Sequence, residues 1–235
     1  MYVRDAVLEW ACARDLADTF RRLEISDGVM FTVERVCRLA TAHIPGCDDA
    51  GMLVAHRGVM ETLGATSESP SKVDKLQFHF GEGPSVEVTR FDERAVVGTG
   101  DLAADRRWPG FGPVGAAAGG IRSMLAFRLA GPDQIVGALT LYSSRRQAFE
   151  PAAVELGTLF SSHASTALVG AQAIQNLKEA LESRETISVA MGILMARQEV
   201  SREQAFEILK RASQRESVKL REIAARMAGA EKVLP

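Results

Sequence analysis

Eight basic side chains crowd one short stretch of the chain: Arg184, Arg197, Arg202, Lys210, Arg211, Arg215, Lys219 and Arg221. Cations set at helix ends and turns neutralise backbone phosphates and displace their counterions, so the chemistry this set could perform is the gripping of a polyphosphate. Hairpin RNA is read largely through backbone shape and splayed loop bases, so a compact helical bundle with one basic side suffices, without base-reading aromatics. Glu185, Glu199, Glu203, Glu207, Glu216 and Glu222 are interspersed among the cations. By composition alone, a balanced and solvated surface is therefore the simpler reading of the same residues.

Catalytic spacings are missing. The sequence holds no G-x-S-x-G elbow, no G-x-x-x-x-G-K-[ST] phosphate loop, no H-E-x-x-H and no histidine pair at helical ligand spacing. GEGPS, Gly81 to Ser85, is glycine-rich but opens no strand-to-helix unit of dinucleotide-binding type, and it reads as a turn at the edge of a pocket. Cys12, Cys37 and Cys47 form no C-x-x-C pair and fall on expected helices or a helix end, which makes them structural thiols rather than zinc ligands or nucleophiles. The chain is expected to be non-enzymatic, with no cofactor and no metal.

The elements that must position the cations follow from periodicity. Val3, Val7, Trp10, Ala13, Ala17 and Phe20 share one face of an N-terminal helix, and a second helix is predicted from Val29 to Ile44, stopped by Pro45 and Gly46. Five β-type runs come next, at 51–55, 59–65, 95–98, 123–130 and 135–143, the last two joined by a GPDQ hairpin. Strands in the middle with helices before and after imply an α+β sandwich: an antiparallel sheet with flanking helices, covered on one face.

After Pro151 no proline occurs until Pro235, which permits a helix of more than forty residues, on the order of 65 Å long. Along it Ala153, Leu156, Phe160, His163, Ala167, Gly170, Ile174, Leu177 and Leu181 alternate at three and four, the spacing of a coiled-coil seam, with His163 a tolerated polar residue in it. A second copy of the chain is the expected partner, so a homodimer is predicted through this seam and the Trp10 helix. Ser201 and Gln204 form a capping box that restarts the chain as a new helix after Gln198 to Val200. Ala205, Phe206, Leu209 and Ala212 then share one face, and Leu220, Ile223, Ala224 and Met227 another. With Ile187, Ala190 and Leu194 they predict a three-helix bundle.

Size and charge set the frame. The 235 residues, 46% apolar and 25% charged, suit one or two soluble domains. No apolar run reaches the roughly 18 residues of a membrane span, and a cytoplasmic location without membrane contact is expected. The net charge of −2 disfavours a chain devoted wholly to nucleic acid. From residue 182 onward, however, ten Lys and Arg face eight Asp and Glu, so the basic excess lies where the bundle is predicted.

Two resemblances join these residues to known families. DDAGMLV from Asp48, LQFHFGEGPSVEV, VVGTGDLAADRRWPGF and the strands through LTLYS resemble the GAF sensor domains of actinobacterial regulators, over roughly residues 25 to 170. SRETISVAMGILMARQEVSREQAFEILKRASQRESVKLREIAARM resembles the ANTAR domain more sharply, through A-x-G-x-L-M, S-x-x-Q-A-F and K-L-R-x-I-A. Together with the periodicity of the N-terminal helix and of the seam, the pair divides the chain into an N-terminal dimerisation helix at 1–24, a GAF-like sensor at 25–151, a coiled-coil linker at 152–183 and an ANTAR-like module at 184–235. The resemblance implies a transcription antitermination regulator. Its three helices would grip stem-loops in nascent transcripts through Arg184, Ala190, Gly192, Arg197, Arg202, Lys210, Arg211, Arg215, Lys219 and Arg221.

The sequence departs from the family patterns at two places. Met191 stands between the alanine and glycine where many ANTAR members carry a basic residue, removing one expected phosphate contact. Ser85 follows G-E-G-P where related sensors often carry cysteine, which excludes thiol sensing there. There is no N-K…F-x-x-x-D-E signature of cyclic-nucleotide binding, so the sensor's signal, a small molecule or a protein, is left open. Any ligand is expected between the sheet and residues 78–111. LREIAARMAG also looks like the first helix of a DNA-binding helix-turn-helix, but only eight residues follow Met227 to supply a recognition helix. A GAF-type thiol enzyme is the remaining alternative.

Overall fold

The computed structural model describes residues 28–56, 59–90, 94–132 and 134–229. The expected N-terminal helix, with Trp10 and Cys12, lies outside them. The chain divides into two compact units at Gln172 and Ala173.

In the first unit, helix α1 (Gly28–His43) precedes strands β1 (Asp49–His56) and β2 (Val59–Ala65). Helices α2 (Glu68–Phe80) and α3 (Pro84–Arg90), strand β3 (Val96–Thr99), a single 3-10 turn (Leu102–Ala104) and helix α4 (Phe111–Gly119) follow. Strands β4 (Ser123–Ala130) and β5 (Ile135–Ser143) complete an antiparallel sheet in the order β2-β1-β5-β4-β3. All five strands fall on the predicted runs, because alternating or continuous apolar residues bounded by turns specify strands locally.

Both faces of this sheet are covered, which corrects the expectation of one. Met52, Val54, Leu125, Phe127, Leu139 and Leu141 pack against Val33, Val36, Cys37 and Ala40 of α1, and against Ala153, Phe160, Ala164 and Leu168. The intervening residues Leu53, Met124, Ala126, Ala138 and Tyr142 pack on the other side with Val73, Val88, Leu102, Trp108 and Phe111. The sequence signal lies in β4 and β5, whose residues SMLAFRLA and IVGALTLYS are largely apolar rather than alternating, and burial along both strands is almost continuous.

Helix α5 (Pro151–Gln198) has 48 residues and is followed by α6 (Arg202–Glu216) and α7 (Leu220–Gly229). Its first turns supply the core residues just named, so Ala153 (1% exposed) and Phe160 (0%) are accounted for within one chain. Those two seam positions therefore cannot face a partner copy. Among the other seam residues, Leu156, Ala167, Gly170 and Ile174 are half-buried, whereas Leu177 and Leu181 stand exposed.

In the second unit Ala190, Met191, Leu194, Ala205, Leu209, Ile223 and Ala224 form the core of a three-helix bundle. The predicted capping box is formed: Ser201 Oγ accepts from the Gln204 amide at 3.3 Å, and Gln204 Oε1 accepts from the Ser201 amide at 2.8 Å. A cap of this kind is worth about 1 kcal/mol. The turn that stops α5 is completed by Glu199 in a left-handed conformation (φ 53°).

Candidate functional site: the basic bundle and the closed sensor core

The predicted RNA-binding residues divide by their electrostatic surroundings. Lys210 pairs with Glu207 at 3.2 Å, Arg215 lies 3.8 Å from Glu216, and Arg221 lies 3.8 Å from Glu179. Arg226 takes the other oxygen of Glu216 at 2.7 Å. Exposed pairs of this kind contribute about 1 kcal/mol or less, and they leave the cations partly neutralised. Arg184, Arg202, Arg211 and Lys219 form no ion pair among the described residues. Arg197 occupies the last turn of α5 and is exposed.

The two small residues of the motif behave oppositely. Ala190 is fully buried in the bundle core, which corrects its place among the RNA contacts: no ligand can touch its side chain without unpacking the bundle. Gly192 is exposed, and a Cβ built on it would meet nothing within 4 Å. Met191, at the position expected to be basic, is only 8% exposed and belongs to the core.

The spacing of α6 predicts Phe206 on the core face with Ala205 and Leu209, and the structure places it elsewhere. It is 40% exposed, outside the core cluster, and lines an open groove of about 830 Å³ between α5 and α6. A helix turns about 100° per residue, so Ala205 and Phe206 cannot both face the α7 side squarely. The available signal was that three other apolar residues of α6, Ala205, Leu209 and Ala212, already fill a 4-3 spacing without it.

In the sensor unit, the space expected to hold a ligand is packed from within. Trp108 and Phe111 are 2% and 0% exposed, whereas Phe78 and Phe80 stand at the surface. Beneath them lies a buried polar cluster. Gln77 Nε2 donates to Asp74 Oδ1 and to Ser85 Oγ, each at 2.9 Å, and Gln77 Oε1 accepts from the Ser85 amide at 2.9 Å. Ser85 Oγ and Thr140 Oγ1 are 2.9 Å apart, and Thr62 Oγ1 donates to Asp74 Oδ2 at 3.1 Å.

The GEGPS turn serves this closure. Gly83 adopts φ 120° and lies so close to Gln77 that a Cβ would stand 2.4 Å from its Oε1, so glycine is required there. Glu82 accepts from the Gly110 and Phe111 amides at 2.9 Å each, capping the start of α4. Trp108 Nε1 donates to Glu87 Oε1 at 2.8 Å. The motif that read as a pocket edge is the clasp that seats residues 108–111 on the sheet. A separate polar cleft of about 480 Å³ lies at the β2 edge, between Glu34, Thr62 to Ala65, and the Lys72 and Lys75 side of α2.

The described thiols are poorly suited to nucleophilic chemistry. Burial pushes both Cys37 and Cys47 up to about 12, leaving almost no thiolate at neutral pH, and Cys37 donates to the Gly64 carbonyl at 3.8 Å. Among the described residues, no group of three or more His, Cys, Asp or Glu could hold a metal ion. No helix among them is long and apolar enough to cross a membrane.

Comparison with known families then assigns both units. The GAF domain matches residues 32–169, and the ANTAR domain matches residues 175–227. The chain belongs to the GAF domain family and carries an ANTAR domain behind it. It is thus a regulator that includes a sensor domain. Solved structures share the sensor fold. The GAF domain from a phosphoenolpyruvate-protein phosphotransferase of Coxiella burnetii aligns with a TM-score of 0.56 at 13% identity, over 70% of this chain and 96% of that one. The corresponding Acinetobacter domain aligns at 0.51 and 16%, over 68% and 95%. The fRMsr of Staphylococcus aureus aligns at 0.50 and 11%, over 65% and 91%. At such identities the likeness extends to fold alone. No curated protein matches the sequence.

Proposed function

We propose that this GAF–ANTAR chain is a homodimeric, cytoplasmic transcription antitermination regulator. Its GAF domain takes a small-molecule or protein signal, and its ANTAR domain binds stem-loops in nascent transcripts so that a terminator hairpin does not form. No catalytic step is part of this reading. The closed core under residues 108–111 favours a signal delivered at the sensor surface over one enclosed against the sheet.

The observation that carries the reading is the ANTAR match at residues 175–227, which falls on a bundle where four predicted contacts, Arg184, Arg202, Arg211 and Lys219, lack ion-pair partners among the described residues. Unpaired surface cations cost little to bring against phosphate, because no existing pair must be broken.

The test is hairpin RNA binding by the full chain across a salt series, with duplex DNA as competitor. Binding should fall steeply with salt, and Arg211→Ala with Lys219→Ala should weaken it while reducing the slope by about 0.7 to 0.9 per lost contact. Equal competition by duplex DNA would transfer the site to the helix-turn-helix reading. Unchanged affinity in the double variant would leave those charges as surface solvation.

A further inference from the structure

We propose that the groove between α5 and α6 is a pocket for one unpaired RNA base, stacked on Phe206 and held at its phosphates by Arg184 and Arg202. The proposal rests on the RNA-binding reading above and deepens it, from phosphate attraction to recognition of a splayed loop nucleotide.

Three observations converge on this groove. Its volume, about 830 Å³, lies in the range of small-ligand pockets. Its floor is apolar, with Ile187, Met191 and Phe206, and Phe206 is left 40% exposed; Val189 and Met195 of the same unit are also exposed, but Phe206 is the aromatic residue that lines the groove. A flat aromatic face in a concavity offers a base what an aliphatic patch does not, since every base presents a π-face to stack.

The rim decides between occupants. Arg184 and Arg202 form no ion pair among the described residues, although Glu203 and Glu207 also line the groove. Glu207 is engaged by Lys210 at 3.2 Å, and Glu203 accepts from the Ser201 hydroxyl at 2.8 Å. With Lys210 beside Glu207, three cations face two carboxylates at this rim, and although the nearby Arg202 charge acts on Glu203, the excess of one positive charge fits an anionic strand. A second copy of this chain would bring the same two arginines and the same two engaged carboxylates. A paired stem cannot enter either, because its bases are stacked on one another and only a loop nucleotide can turn a face outward.

The test compares the full chain on one hairpin with an intact loop and on the same stem with an abasic loop, using wild type, Phe206→Ala and Phe206→Leu. A 2-aminopurine probe is placed at each loop position in turn. Wild type should bind the abasic loop about 5- to 150-fold more weakly, the range typical of one stacked base. Phe206→Ala should lose a similar factor on the intact loop and little more on the abasic one, and quenching of one probe position should disappear. Phe206→Leu keeps the apolar volume without the ring, so it should lose the quenching even if the alanine variant folds poorly.

Salt-dependent binding that ignores the loop bases would overturn the pocket and leave the RNA reading standing. Loss of binding to both hairpins equally in folded Phe206 variants would make the residue structural. Conversion of a dimer to a monomer by Phe206→Leu, with affinity per chain unchanged, would give the groove to a second copy. Absence of wild-type binding to either hairpin would remove both the RNA reading and the pocket.

Discussion

The Tyr142 hydroxyl donates a hydrogen bond of 2.5 Å to the Asp74 carboxylate, and both residues are 0% exposed. Asp74 also accepts from Thr62 and Gln77, and among the described residues no cation pairs with it. Burial raises Asp74 from 3.8 to about 6, and these three hydrogen bonds only partly oppose the shift. The folded state therefore holds the Asp74 proton more tightly than the unfolded chain does. Its contribution to stability is fully present below the unfolded value and is lost as pH rises through about 6.

At 1.36 kcal/mol per unit, that loss is about 3 kcal/mol between roughly pH 4 and pH 7. In Asp74→Asn this pH-dependent part should vanish, since the amide oxygen can still accept from Tyr142 and Gln77 while the Thr62 hydroxyl can turn to accept from the amide nitrogen. Urea unfolding of both chains across that range would measure it. Parallel pH curves for the two would show that Asp74 titrates as an ordinary carboxyl.

Leu177 and Leu181 are 62% and 58% exposed, one helical turn apart on the same side of α5. Apolar side chains so placed are the part of the predicted seam that a second copy can still cover. Leu177→Glu with Leu181→Glu is expected to turn a two-chain species into one chain by light scattering, with little effect on thermal unfolding. Phe160→Glu, by contrast, should unfold the sensor, because it sets a carboxylate in the core beneath the sheet. A wild-type monomer at micromolar concentration, or a dimer that survives the double substitution, would remove the seam.

Met191→Lys is expected to destabilise the bundle by about 1–3 kcal/mol, since Met191 is 8% exposed among Ala190, Leu194 and Ala205. The long lysine stem can lie along the groove with its ammonium turned outward, which keeps the cost below that of a fully buried charge. Denaturation of the two chains side by side checks this. Unaltered stability with tighter hairpin binding would mean that the lysine reaches phosphate freely.

Gly192→Ala separates a packing role from a contact role. Because nothing lies within 4 Å of the added Cβ, the substitution should raise helix stability by about 0.5–1 kcal/mol. If the bare backbone at Gly192 lies against an RNA loop, the same change weakens hairpin binding. A more stable variant with undiminished affinity would place Gly192 outside the interface.

Features set by neighbours along the chain were legible before any tertiary structure. The strand runs, the stop at Pro45, the start of α5 at Pro151 and the Ser201–Gln204 capping box depend on local spacing and backbone chemistry, and each is present. So is the order of the GAF and ANTAR domains, because motif residues hold it in sequence.

What the tertiary structure decided were the choices between faces and between partners. Phe160 and Leu159 are adjacent in sequence, yet packing of α5 on the sheet buries Phe160 completely and leaves Leu159 57% exposed. Docking of α7 likewise selects Ala205 over Phe206 for the bundle core and so opens the groove. The buried polar cluster joins Ser85 to Thr140 and Asp74 to Tyr142, across 55 and 68 residues of chain. Which cations remain unpaired depends on where Glu179 and Glu216 come to rest. Periodicity states that a helix has a face. Which element covers that face is settled by burial and hydrogen bonding between segments remote in sequence, whose interactions no local spacing encodes.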